Sequence, residues 1–274
     1  MKATIKALAN QKGGVGKTTT TESLGIGLAR HGKKVLLIDG DAQGSLSASM
    51  GYTRRDDFEV TLASQMEHIM RNQPFDFRDG ILHHEEGVDL LPANIELASI
   101  ELALVGLPMG RERILHKLVE QMRPHYDYIL IDCQPSLGMM TVNALTAADS
   151  VIIPVQAEFL STRGLQQLLK SIAQEKEYLN PRLQVDGILF TMVNNRTVFG
   201  REMIENVSKH YGADLRIFNQ AIPFSVRAAE SPATGKSIYQ HDPDGKVSTA
   251  YKALTEEVLK HDKQRALRHA DIAR

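Results

Sequence analysis

Near its N-terminus the chain reads "ANQKGGVGKTTTT". Gly13, Gly14 and Gly16 precede Lys17 and Thr18, a spacing that lets backbone N–H groups converge on phosphate oxygens. Val15 and Thr19 complete the stretch. In such a loop Lys17 would hold the β and γ phosphates of a nucleotide, and the Thr18 hydroxyl would ligate magnesium. A second lysine, Lys12, precedes the glycines, and Gln11 stands where the commoner Gly-x-x-x-x-Gly-Lys-Thr pattern has its first glycine. Taken alone, Lys12 reads as a solvated surface lysine.

Phosphate chemistry also needs carboxylates at the ends of neighbouring strands to hold metal and water. "YDYILIDCQPS" supplies Asp132 after an apolar run, placed to bind magnesium directly or through water. "KKVLLIDGDAQG" supplies Asp39 and Asp41. Their spacing puts both side chains on one side if the strand continues, whereas a turn at Gly40 would separate them. A solvated turn is the plain alternative for this pair, and a strand-end turn for Asp132.

The elements that must position these groups are legible as runs rich in Val, Ile and Leu: "TIKALAN", "KKVLLID", "VDLLPA", "YDYILID", "SVIIPVQ", "VDGILFTMV" and "RIFNQAIP". Segments of helical spacing lie between most of them. Leu165, Leu168, Leu169 and Ile172 follow a cap at Ser161, and Ile114, Leu118 and Met122 recur every four residues. Alternating strand and helix predicts an α/β P-loop NTPase fold, a mainly parallel twisted sheet with helices on both faces. We read residues 1–274 as a single domain, with a variable helical excursion over 51–87 and a C-terminal helix and tail over 247–274. The expected first strand begins at once, which leaves no room for an N-terminal helix-turn-helix.

With 42% apolar residues and a net charge of −1, the chain can bury a core but has no global basic field, so any nucleic-acid contact must come from a local patch. Cys133 is the single cysteine, which excludes an internal disulfide framework and favours a reducing cytoplasm. The opening apolar run is broken by Lys6 and reads as neither a signal peptide nor a membrane span, which needs roughly 18 to 20 apolar residues. His83 and His84 beside Glu85 and Glu86 read as a polar turn rather than a metal site.

Taken together, "KGGVGKTTT", "VLLIDGDAQG" and "YDYILIDCQPS" resemble the deviant Walker A, A′ and Walker B motifs of the ParA/MinD class of ATPases. "GILFTMVNNRT", "SVRAAESPATGKSI" and "YKALTEEVL" extend the likeness to ParA partition ATPases of the chromosomal Soj type, over nearly the whole chain. The resemblance implies ATP/ADP and Mg2+ as ligands. It makes Lys12 the signature lysine that reaches the partner's nucleotide in an ATP-bound homodimer. Such a cation supplied in trans is worth roughly 10³ to 10⁵ in rate. It makes Asp41 the residue that orients the attacking water, with Asp39 its companion near magnesium beside Thr18 and Asp132. Gln134, Pro135 and Ser136 fall in the switch that feels the γ-phosphate, and Met192, Asn194 and Pro223 fall where adenine is bound.

The same resemblance implies non-specific binding of double-stranded DNA by the dimer, at the nucleoid, with hydrolysis stimulated by a ParB-like centromere-binding protein. Arg196 and Arg227 match DNA-binding positions, and Lys252 would add to the patch. Four arginines per dimer imply a salt slope of about −3.6. As a plain alternative, Arg227 would pair with Glu230 and Arg196 would cap a helix. The chain departs from the family at "PFS" (Pro223–Ser225), where "PRN" is usual, and at "DAQGS", where "DPQGN" is usual. A MinD-like membrane regulator is the first rival, but "KHDKQRALRHADIAR" lacks the bulky apolar face of a membrane helix. An iron–sulfur reductase is excluded because one cysteine per chain cannot supply four ligands to a symmetric pair. A small-substrate P-loop enzyme is the remaining rival.

Overall fold

The consecutive apolar runs form strands whose side chains alternate between two buried layers, as a sheet covered on both faces requires. The computed structural model describes residues 2–54, 57–156, 162–194 and 198–272. Its strands are β1 (Thr4–Leu8), β2 (Val35–Gly40), β3 (Leu82–His83), β4 (Asp89–Leu91), β5 (Tyr128–Cys133), β6 (Ser150–Gln156) and β7 (Gln184–Thr191). They join into one sheet in the order β3-β4-β2-β5-β1-β6-β7, parallel throughout except for the antiparallel edge pair β3 and β4.

The helices are α1 (Lys17–Arg30), α2 (Ser45–Ser49), α3 (Leu62–Met70), α4 (Glu96–Gly106), α5 (Ile114–Met122), α6 (Met139–Ala147), α7 (Thr162–Tyr178), α8 (Val198–Tyr211), α9 (Val226–Thr234), α10 (Ile238–His241) and α11 (Lys246–Ile272). Ile5, Leu36, Ile38, Ile129, Ile131, Val151 and Ile153 face one layer with α3 to α8. Leu8, Leu37, Leu130, Ile152 and Leu189 face the other, beneath α1, α10 and α11. Among the described residues, no helix is long and apolar enough to cross a membrane.

Three local expectations differ from the structure. "RIFNQAIP" forms no continuous strand, only isolated parallel bridges from Ile217 to Ile188 and from Pro223 to Val193. Between them the backbone N–H groups of Asn219 and Gln220 donate to Glu257 of α11, so a side chain takes the bonds a sheet edge would have used. The stretch 51–87 contains α3 but also the edge strand β3, because the predicted polar turn at "HHEEG" closes a hairpin onto β4. Glu86 in that turn pairs with Arg30 at 3.0 Å, and Glu85 accepts from Gln240 at 3.0 Å. The third is Lys6, which points into the α11 layer fully buried, salt-bridged to Asp186 of β7 and, at 2.9 Å, to Asp262 of α11.

Candidate nucleotide-binding site

The glycine loop joins β1 to α1 at the C-terminal edge of the sheet, where open α/β sheets bind ligands. Gly16 sits at φ 79°, a left-handed conformation favouring glycine, and α1 begins at the next residue with no side-chain cap. The first N–H groups of α1 therefore remain available to an anion. The loop is braced from its neighbours. Gln11 Nε2 donates to Gly164 O at 2.8 Å, Asn10 Nδ2 to Pro154 O at 2.7 Å, and Thr191 Oγ1 to Val15 O at 2.8 Å. Lys17 is buried, its Nζ donating to Lys12 O at 3.1 Å, while Lys12 itself is exposed at the rim.

Asp132 ends β5 directly beside Asp39 of β2, the two being register partners. Thr18 Oγ1 donates to Asp132 Oδ2 at 2.7 Å and Thr21 Oγ1 to Oδ1 at 3.4 Å. Burial, then the neighbouring Asp39 carboxylate, pushes the Asp132 pKa well above the usual carboxylate range, and burial lowers that of Lys17. Hydroxyl and carboxylate oxygens grouped around buried charge form a donor set suited to a hard divalent cation.

β2 runs straight through Gly40, so Asp39 and Asp41 are not parted by an early turn, yet they do different work. Asp39 is fully buried, with its pKa raised to about 6 by burial. Its Oδ2 accepts from Ser47 N and Ser47 Oγ, both at 2.8 Å, and its Oδ1 from Asp41 N at 3.3 Å. Both oxygens are thus engaged by the protein, and Asp39 ties α2 to the strand. Asp41 is half-buried, its Oδ1 accepting from Gln43 N at 2.9 Å. Sequence spacing could not separate the two, because the difference lies in what α2 offers.

The loop Gln134–Ser136 follows β5, and Pro135 abuts the glycine loop: a Cβ placed on Gly13 would lie 3.8 Å from Pro135 Cβ. On the other side of the loop, a cavity of about 230 Å³ is lined by Gly16, Thr19, Met192, Pro223, Phe224 and Tyr251, with further apolar neighbours. Met192 and Pro223 are therefore brought to one place, whereas the half-buried Asn194 does not line it. Met192 itself takes a left-handed backbone, φ 52°. Burial pushes the Cys133 thiol up, keeping it protonated. Phe224, Thr191, Ser47 and Glu101, which bonds Gln134 at 2.9 Å, carry no motif that would have singled them out.

Arg196 lies outside the described residues. Arg227 projects from α9 with its side chain 66% exposed, and its nearest acidic partner is Asp242 at 3.5 Å rather than the expected Glu230. Lys252 of α11 donates to Pro243 O at 3.1 Å, so the two cations flank the same turn.

A glycine loop between strand and helix, with a buried lysine, a threonine hydroxyl and strand-end carboxylates around it, defines a P-loop NTPase. An AAA-domain family model matches residues 3–185. The chain is 41% identical over 260 residues to the sporulation initiation inhibitor protein Soj of Bacillus subtilis, covering 93% of this chain and 97% of that protein. It is 38% identical over 269 residues to the chromosome partitioning protein ParA of Caulobacter vibrioides, covering 97% of each. Among solved structures, a cobyrinic acid a,c-diamide synthase from Mycobacterium smegmatis with bound ADP and magnesium superposes at a TM-score of 0.82. That match is 34% identical and covers 95% of this chain and 96% of the other. The chain belongs to the ParA/Soj family of partition ATPases.

Proposed function

We propose that this protein is an ATP-dependent DNA-partitioning ATPase. Its ATP-bound homodimer holds double-stranded DNA without sequence preference and lets go on hydrolysis, which a ParB-like partner stimulates. The observation that carries this reading is the convergence of Lys17, Thr18, Asp132 and Asp41 beneath the open N-terminus of α1.

Lys17, with the N–H groups of Gly13, Gly14, Val15, Gly16, Thr18 and Thr19, holds the phosphate chain. Thr18 and Asp132 hold magnesium, which when bound would neutralise charge between the β and γ phosphates. Asp39 stands behind them, fixing α2 and the approach of Asp41, which orients the attacking water. Lys12, exposed at the rim, serves the partner's nucleotide. The cavity formed by Met192 and Pro223 takes the base, with Asn194 at its approach.

Dimerisation is supported by a row of unpartnered apolar side chains on and beside α4: Ile95, Leu102 at 76% exposure, Val105 and Met109 at 87%. Ile95 shares a cavity with Ala42 and Gln43, next to Asp41, so this row borders the nucleotide site. For DNA, the pairing of Arg227 and Lys252 around one turn supplies a local basic patch on a nearly neutral body, doubled in a dimer together with Arg196.

The small-substrate reading draws on the synthase from M. smegmatis. One experiment separates it, and the membrane reading, from ours. Retention on non-specific DNA and on anionic liposomes is measured with ATP and with ADP, alongside hydrolysis with and without DNA. We expect ATP-dependent retention on DNA alone, with hydrolysis raised by DNA and its partner. Lipid binding without DNA binding, or turnover that ignores DNA, would overturn the proposal.

A further inference from the structure

The loop after β5 is tied down on the side away from the phosphates. Gln134 Nε2 donates to both carboxylate oxygens of Glu101, at 2.9 and 3.0 Å, and to Ser136 Oγ at 2.9 Å. Only the amide nitrogen can face a carboxylate, so the orientation of Gln134 is fixed by its partner. Ser136 Oγ also accepts from Gly138 N at 3.1 Å. The network closes where Met140 N donates to Glu101 Oε1 at 3.3 Å.

That last bond meets a need of α6. The helix starts after Gly138 with no side-chain cap and no acidic residue in its first turn. A helix N-terminus in that condition has open N–H groups and a partial positive charge. Glu101 supplies both the acceptor and the negative charge from another helix, α4. A Cβ on Gly138 would stand 2.3 Å from Glu101 Oε1, so glycine at this position is what admits the carboxylate. One side chain therefore couples the β5 loop, the start of α6 and α4.

We infer that Glu101 is a positioning residue that latches the Gln134–Ser136 loop back onto α4 and α6, and that a nucleoside triphosphate, but not a diphosphate, must release it. The inference rests on the proposed reading of this loop as the one that feels the γ-phosphate; the contact of Pro135 with the glycine loop puts it in reach. A ligand shifts such an equilibrium only by its differential affinity for the two positions. Bonds to a charged acceptor are the stronger kind, so the latch holds triphosphate affinity down relative to diphosphate affinity. It also sets how far α4, with its exposed Leu102 and Val105, follows the nucleotide state.

The test compares the parent protein with Glu101→Ala and Glu101→Gln in binding of Mg-ADP and a non-hydrolysable Mg-ATP analogue. Amide exchange over 134–142 is followed without nucleotide. The ratio of analogue affinity to ADP affinity should rise about tenfold in Glu101→Ala. The rise should be smaller in Glu101→Gln, whose carbonyl still accepts from Gln134. Exchange in the loop should accelerate about tenfold. A merely structural role would weaken both nucleotides alike, and an unmoved ratio with normal binding overturns the latch. Should Glu101→Ala fail to fold, Gly138→Ala displaces the carboxylate while keeping its charge and must raise the ratio in its place. Failure of the parent protein to bind either nucleotide would instead overturn the nucleotide reading, and the latch with it.

Discussion

The ammonium of Lys17 donates to the carbonyl oxygen of Lys12 at 3.1 Å, so the buried lysine of the loop rests on the backbone of the exposed one. The two side chains therefore have separate destinations. Lys17→Ala should weaken nucleotide binding by about a hundredfold or more, as loss of a buried charge-assisted contact does. Lys12→Ala should leave nucleotide binding by the monomer within about threefold. Calorimetry gives the affinities, and tight ATP binding by the Lys17 variant would remove that residue from its role.

Lys12→Ala should also abolish ATP-dependent dimerisation, or else lower hydrolysis by about 10³. Sedimentation velocity with ATP, paired with phosphate release, decides the matter. Survival of both would leave Lys12 a surface charge.

Asp41 carries its carboxylate to the half-buried rim while Asp39 is consumed by Ser47. Asp41→Ala should accumulate an ATP-bound dimer that turns over about 10² to 10³ times more slowly. Normal turnover would transfer the water-orienting role elsewhere.

Arg227 is held only by a 3.5 Å contact with Asp242, a pair worth little in water. Replacing Arg196 and Arg227 together should spare the dimer. Replacing Arg227 alone should lower the slope of log K against log salt from about −3.6 to about −1.8. An unchanged slope would move the DNA patch to other residues.

Glu22 is buried in α1 with its pKa raised to about 7, by burial first and by Glu86 in addition. Because the folded state binds this proton more tightly than the unfolded chain, stability from this group is greatest below about pH 4.5. It falls as pH rises to about 7, by roughly 3 kcal/mol in all. Glu22→Gln should match the parent near pH 4.5 and exceed it in urea unfolding at pH 8. A difference that does not grow with pH would reject this account.

Much of the site was legible because its chemistry is contiguous. Gly13 to Thr19 lie in one loop, and Asp41 and Asp132 each close an apolar run. The edge of the sheet was less legible. "RIFNQAIP" has a strand's composition, yet Glu257 captures its N–H groups, and nothing within eight residues announces a partner on α11. The two-residue β3 is too short to carry a period, so the hairpin at 84–87 was visible only as a turn.

The residues by themselves determined the phosphate loop, the alternation of strand and helix, and the carboxylates at the strand ends, because each depends on backbone geometry set over a few neighbours. Only the tertiary structure decided which side chains meet. Lys6 finds its counter-charges 180 and 256 residues away, Gln134 finds Glu101 33 residues back, and Met192 shares a cavity with Pro223 and Tyr251. Such pairings depend on how the whole chain closes, and a carboxylate in the sequence carries no mark of the donor that packing will bring to it.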